Sequence, residues 1–258
     1  MDGRKRSLMA AITAIGASIA LTGCGGGGGS SSGPDPLTVG LIHEWKLDGD
    51  AKDSVGTLNG TVKGPVVFTP AVFGSGMVGN GQSTGIALPV VADMRFQNSF
   101  TLSAWAKTPG GAPPGHLWES IFFNGDDRPG LDPYHLMVDP GGQLNFQVCS
   151  PTESNAISIA MPLNQFVLVT ATYDKAAGYM NLYLNGKLAA QKAFANATPL
   201  VLLDATALPG IGLGANNDFP NSGYDFSWNG AIDDMRIYNR SLSASEVQAL
   251  YNQGSTAL

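Results

Sequence analysis

The sequence is short of cysteine, of charge and of long apolar runs, and each shortage narrows what the protein can be. Its 258 residues include two cysteines, Cys24 and Cys149, so no disulfide framework holds the fold. Charged residues make up 13%, about half the usual share. Lys and Arg do not cluster beyond Arg4-Lys5-Arg6, and the formal net charge is −6. Nucleic-acid binding is therefore disfavoured, because neutralising phosphates needs grouped cations. There is no His-Glu-x-x-His run or Cys/His cluster for zinc, and no Gly-x-Ser-x-Gly for a serine nucleophile. His43, His116 and His135 stand in no motif that marks a general base, and Gly74-Ser75-Gly76 is a lone turn rather than a phosphate loop. The longest apolar run, Leu8 to Leu21, has 14 residues, too few to span a bilayer.

That run and its surroundings have another reading. Arg4, Lys5 and Arg6 form a basic n-region ahead of it, as in a secretory signal. Leu21-Thr22-Gly23-Cys24 follows and resembles the lipobox of bacterial lipoproteins. The resemblance implies a signal peptide over 1–23, an acylated Cys24 and contact with a membrane through the lipid alone. Gly25 stands where an inner-membrane retention signal would have Asp, so the implied location is the outer membrane of a bacterial envelope. An ordinary secretory signal is the alternative, and it would leave Cys24 free to pair with Cys149. Residues 25–36, GGGGGSSSGPDP, cannot form a core. As a random coil such a tether reaches roughly 17–21 Å. The tether is taken as 24–38 and the folded domain as 39–258.

Gly is abundant, at 34 residues, and the domain reads as short alternating runs between turns. LIHEWKLDG (41–49) sets Leu41, His43, Trp45 and Leu47 on one face. In 100–107, Phe100, Leu102, Ala104 and Ala106 share a face; in 166–174, Val167, Val169, Ala171 and Tyr173 do. Residues 134–148 and 180–194 read as hairpins turning at Asp139-Pro140-Gly141-Gly142 and Asn185-Gly186. Residues 211–215 and 230–238 complete the set. One helix is expected: Ser243 and Glu246 make a capping box, Leu242 and Val247 a staple, and Val247, Leu250 and Tyr251 an apolar face, with a stop at Gly254. The fold class is all-β, a two-sheet antiparallel sandwich with one short C-terminal helix.

Four runs in order carry a family resemblance. They are Trp45-Lys46-Leu47-Asp48-Gly49 with Asp53-Ser54, Phe100 to Trp105, Phe166 to Asp174 with Asn181 to Lys187, and Gly230 to Arg240 before the capped helix. Together, over 41–254, they resemble the LamG-like jelly-roll domain of the concanavalin A-like lectin/glucanase superfamily. The resemblance implies two curved sheets with the first and last strands close together. It implies fold more firmly than function, because lectins, adhesion modules and hydrolases share it.

The superfamily's glucanases need two carboxylates about a bond, on a Glu-x-Asp-x-Glu strand or that run with one more residue. No such run exists; Glu44 and Asp48 lack a third acid in register, and Glu119 stands alone after Trp118. Calcium suits Asp48, Asp50 and Asp53, hard donors within six residues, although Lys52 and Asn59 rule out an EF-hand. If the terminal strands pair, Asp233 approaches this loop. The expected metal ligands are Asp48, Asp53 and Asp233, with Asp50 as a further donor; a solvated acidic turn is the alternative. Sugars are bound by aromatic faces beside Asp, Asn and Arg, which points to Trp118, Asp126, Asp127, Arg128, Tyr224 and Trp228. The overall expectation is a tethered, non-catalytic recognition module for glycan or protein ligands at the cell surface. A divergent polysaccharide-active enzyme and a structural envelope lipoprotein are the alternatives. One detail bears on all three: alternation puts Asp233 on one face with Met235 and Ile237, and Asp234 on the other with Ile232, Arg236 and Tyr238.

Overall fold

The structure, a computed structural model, describes residues 35–110, 118–125, 132–150, 153–194, 210–215 and 226–256. In chain order the strands are β1 (Leu41–Trp45), β2 (Thr61–Lys63), β3 (Val67–Pro70), β4 (Ser75–Asn80), β5 (Gly85–Leu88), β6 (Phe100–Lys107), β7 (Glu119–Gly125) and β8 (Tyr134–Val138). They continue with β9 (Gln143–Cys149), β10 (Ser154–Ala160), β11 (Val167–Asp174), β12 (Tyr179–Leu184), β13 (Lys187–Ala193), β14 (Gly210–Leu213) and β15 (Asn229–Tyr238), before the helix α1 (Ala244–Ser255). The first sheet runs β13-β12-β11-β6-β15-β4-β3, with β1 also on β15; the second runs β10-β9-β8-β7-β14-β5-β2. All the pairings are antiparallel. β1 lies on β15, so the first and last strands meet as expected.

The alternating residues of β6 explain the layering. Phe100, Leu102, Ala104 and Ala106 face inward and join the main core between the sheets, with Val167, Val169, Ala171 and Tyr173 of β11 beside them. Phe100 anchors it, with the rings of Tyr134, Phe96 and Tyr173 at 4.7, 4.9 and 5.5 Å between centroids. Trp105 faces out and belongs to a second cluster with Leu37, Val72, Tyr238, Leu242, Val247 and Leu250. α1 therefore lies on the outer face of the first sheet. The folded part begins before residue 39, because Leu37 is buried in that cluster and Arg240 donates to the carbonyls of Pro36 and Val39.

Local signals decide the hairpin and the cap. Asn185 and Gly186 have φ of 50° and 79°, the left-handed pair that a type I′ hairpin requires. Ser243 accepts from the Glu246 N–H, and Glu246 accepts from the Ser243 N–H at 2.8 Å. The expected stop at Gly254 is not a stop: the helix runs through it to Ser255. A Cβ on Gly254 would lie 2.5 Å from Trp105 Cζ2. Gly254 is thus a close-approach residue that lets the last turn sit on the indole.

Candidate functional site

β15 changes its neighbour halfway along. One edge pairs with β6 throughout. On the other edge, Asn229–Ile232 pair with β4 and Met235–Tyr238 pair with β1. Asp233 and Asp234 fall in the gap between the two partners. A bulge sits there: two residues, Asp234 and Met235, replace one in the register against β6, and Asp234 takes φ of +50°. The bulge overturns the expected faces. Ile232, Met235 and Ile237 all join the main core. Asp233 pairs with Trp105 and so points to the outer face. Asp234 is 7% exposed rather than a surface charge, and it receives two bonds from Arg236, at 3.1 and 3.0 Å. Arg236 also reaches Glu44 on β1 and Gln253 on α1, which ties three elements together.

Asp233 is fully buried. Its Oδ2 accepts the Phe73 N–H at 2.8 Å, and its Oδ1 has no hydrogen-bond partner. Burial pushes the carboxyl up to about 7; the backbone N–H groups of Phe73 and Asp234 oppose this, and the charges of Asp234 and Asp48 add to it. Asp48 is exposed and accepts the Ser75 N–H at 2.7 Å. So the turn 73–75 holds both acids. Gly74 has φ of +58°, and a Cβ there would collide with the Asp48 carboxylate; a Cβ on Gly76 would lie 3.1 Å from that of Asp233. Gly74-Ser75-Gly76 is more than a lone turn, and its paired glycines are the sequence signal for it.

Asp53 does not join this pair. Its carboxylate takes the N–H groups of Glu44, Val55, Gly56 and Leu58 at 2.9–3.1 Å, and lies 2.6 Å from His43 Nδ1. Burial raises this carboxyl, but His43 and the N–H groups of Gly56, Glu44 and Leu58 outweigh it and hold it below the usual range. Asp50 pairs with Lys52 at 2.8 Å. Among the described residues no group of three or more His, Cys, Asp or Glu could hold a metal ion, so the three-aspartate site expected from spacing is not assembled. What is assembled is Asp48 with Asp233. Calcium takes carbonyls and waters besides carboxylates, and a fully buried carboxylate oxygen with no partner is the donor such an ion would satisfy.

The expected ligand-binding residues divide. Trp228 is fully buried in the main core and donates its indole N–H to the carbonyls of Ala231 and Lys107; it offers no face to a ligand. Ser227 and Trp228 lead straight into β15. Trp118 is half-buried beside Phe123, Met137 and Phe226, outside the main core of the second sheet, with its ring 6.4 Å from that of His135. Burial holds the His135 imidazole down at about 4, so it is neutral there. Asp126, Asp127, Arg128 and Tyr224 lie outside the described residues, as does Cys24. Cys149 is a buried free thiol 3.0 Å from Gln147 Nε2.

Residues 80–248 match Laminin_G_3, described as the concanavalin A-like lectin/glucanases superfamily. Among solved structures, the binding domain of botulinum neurotoxin serotype G superposes with a TM-score of 0.64 at 18% identity, over 84% of this chain and 51% of that one. The binding domain of botulinum neurotoxin DC, solved with SialylT, gives 0.62 at 16%, over 84% and 52%. Domain 4 of AbnA, a GH43 extracellular arabinanase from Geobacillus stearothermophilus solved with arabinotriose, gives 0.60 at 22%, over 82% and 98%. The chain thus spans about half the length of the toxin domains and nearly all of the arabinanase domain. At these identities the likeness shows the fold. No curated protein matches the chain.

Proposed function

Because the chain belongs to the concanavalin A-like lectin/glucanases superfamily, we propose that it is a non-catalytic recognition module that binds glycan or protein ligands at a bacterial cell surface. The observation that carries this reading is the match to the arabinanase domain. It covers 98% of a domain solved with a bound trisaccharide and 82% of this chain, which supports a sugar-binding module of this size. A protein ligand is the second reading, favoured by the botulinum neurotoxin DC binding domain solved with rat synaptotagmin II. Leu21 to Cys24 supports a lipid anchor and an outer-membrane location, and Asp48 with Asp233 supports one bound calcium ion. A divergent polysaccharide-active enzyme lacks support from any strand carrying the paired acids such chemistry needs.

The test is a glycan array probed with the full chain, with and without chelator, beside an assay for reducing-end release. Saturable binding without turnover is expected; release of reducing ends abolished by Glu119→Gln would instead establish an enzyme. For the anchor, Cys24→Ser should move the protein from the membrane fraction to the soluble one on fractionation. A variant that stays with the membrane removes the lipid reading.

A further inference from the structure

A cleft lies on the outer face of the first sheet, apart from the Asp48–Asp233 pair and the Trp118 cluster. Its floor follows from register. Val67, Val78, Ala231 and Lys107 are successive cross-strand partners over β3, β4, β15 and β6. They form the row next to Asp233 and Trp105. The Trp105 row is roofed, with Tyr251 of α1 5.8 Å from the indole; among the described residues the Ala231 row is uncovered, with Ala231 part-exposed and Lys107 exposed. Ala231 is small, and Gly230 beside it has φ of +133° with no room for a Cβ against the Lys107 carbonyl, so the backbones approach closely and leave a hollow. Phe166, Asn164 and Pro109 stand on one side of it, Thr69 and Pro70 on the other, around a volume of about 260 Å³.

We propose that this cleft takes one anionic sugar unit, a pyranose bearing a carboxylate or sulfate, with Lys107 as the charge partner. The inference rests on the glycan-binding reading above and names its ligand class. Size comes first: the hollow is just below the range of about 300–1,000 Å³ that holds drug-sized ligands, which suits a single ring. The lining comes next. Prolines, Val78 and the Phe166 ring offer apolar surface for the C–H face of a sugar, and Asn164 and Thr69 offer an amide and a hydroxyl for its hydroxyl groups. Charge decides the class. Lys52, Arg236 and Arg240 each pair with a carboxylate. Lys107 is exposed, and among the described residues its ammonium has no carboxylate partner; it lies 5.7 Å from the centroid of the Phe166 ring. An ammonium over an aromatic face keeps its N–H donors free on the other side. It is therefore a cation held at the lip of a sugar-sized hollow in an otherwise acidic protein.

The experiment measures binding of three length-matched oligosaccharides to the full chain by calorimetry: a uronate-bearing one, a sulfated one and a neutral one. At least one anionic probe should bind about ten-fold tighter than the neutral one, a difference of about 1.4 kcal/mol. Lys107→Gln should erase that preference and Lys107→Glu should invert it; both sit on an exposed position and should leave the melting temperature unchanged. Ala231→Leu, which fills the floor, should abolish binding of the anionic probe. Which anion wins identifies uronate or sulfate as the source. Neutral and anionic probes binding equally, or a preference untouched by Lys107→Gln, would overturn this assignment and leave the recognition module standing. No binding to any glycan on the array would sink the glycan-binding reading, and this assignment with it.

Discussion

Asp233→Asn should make the protein more stable at pH 8 in chelator, and less stable than wild type in millimolar calcium. The reversal follows from the two states of one carboxyl. Unfolded, it titrates near 3.8; folded, near 7. Below pH 4 it is neutral in both states. Between pH 4 and 7 the unfolded chain gives up this proton and the folded chain keeps it, so stability falls as pH rises and levels off above 7. The full difference is about 4 kcal/mol at 1.36 kcal/mol per pH unit. Asn keeps an acceptor for the Phe73 N–H and carries no charge, so the variant should lose this slope. If calcium binds as proposed, it should reverse the preference, because a cation would stabilise the folded carboxylate by an amount set by its concentration over its Kd. Denaturant melts from pH 4 to 8, each with calcium and with EDTA, separate the two effects. A wild-type curve that calcium leaves unchanged removes the metal from Asp48 and Asp233. A curve flat from pH 4 to 7 in EDTA contradicts the buried, half-satisfied carboxyl.

Asp53→Ala should be the most damaging single change, because one carboxylate organises a whole loop. It receives four backbone N–H groups and His43. Removing it strands four donors at a largely buried position, and each orphaned donor costs about 1–3 kcal/mol. Even with the loop rearranging to recover some of them, a loss of about 4 kcal/mol or more is a large part of typical domain stability. The same carboxyl dictates an acid limb of opposite sign to that of Asp233. It is held below its usual range, so the stability it provides is present above pH 4 and is lost as pH falls further. Asp53→Asn should flatten the loss below pH 4 and leave the decline between 4 and 7 in place. Trp45, whose indole donates to the Leu58 carbonyl at 2.9 Å and stacks on His43, reports the loop by fluorescence. A near-wild-type midpoint for Asp53→Ala would show that the loop is held by other means.

The sequence was most legible where one face is buried and the strand is long. The face assignments in β6 and β11, both hairpins and the capping box are all present in the structure. Six strands escaped it: β2, β3, β4, β5, β7 and β10. Three of them carry no alternation to read, since Thr61–Lys63 is three residues, Gly85–Leu88 four, and Glu119–Gly125 is buried on both faces. At the site, alternation misled for a specific reason. Period-two reading assumes an unbroken ladder, and β15 spends one residue on a bulge at Asp234, which moves Asp233 to the other side of the sheet. Nothing short of knowing that β4 and β1 share one edge would have revealed it. Spacing also grouped Asp53 with Asp48, because only four residues separate them in sequence; the backbone N–H groups that claim Asp53 are invisible to that measure.

The shared edge of β15 has a consequence for how the chain can acquire its shape. The strand that touches β6, β4 and β1 is the last strand in the sequence, and it lies in the interior of its sheet. Until residues 229–238 are available, β4 with β3, β6 with β11, and β1 are three separate pieces with nothing between them. Residues 41 and 238 must find each other across nearly the whole domain, a long loop closure that slows the assembly of the sheet. A growing chain therefore cannot complete its first sheet from the N-terminus onward; it stays open along a single seam until residues 229–238 have been made.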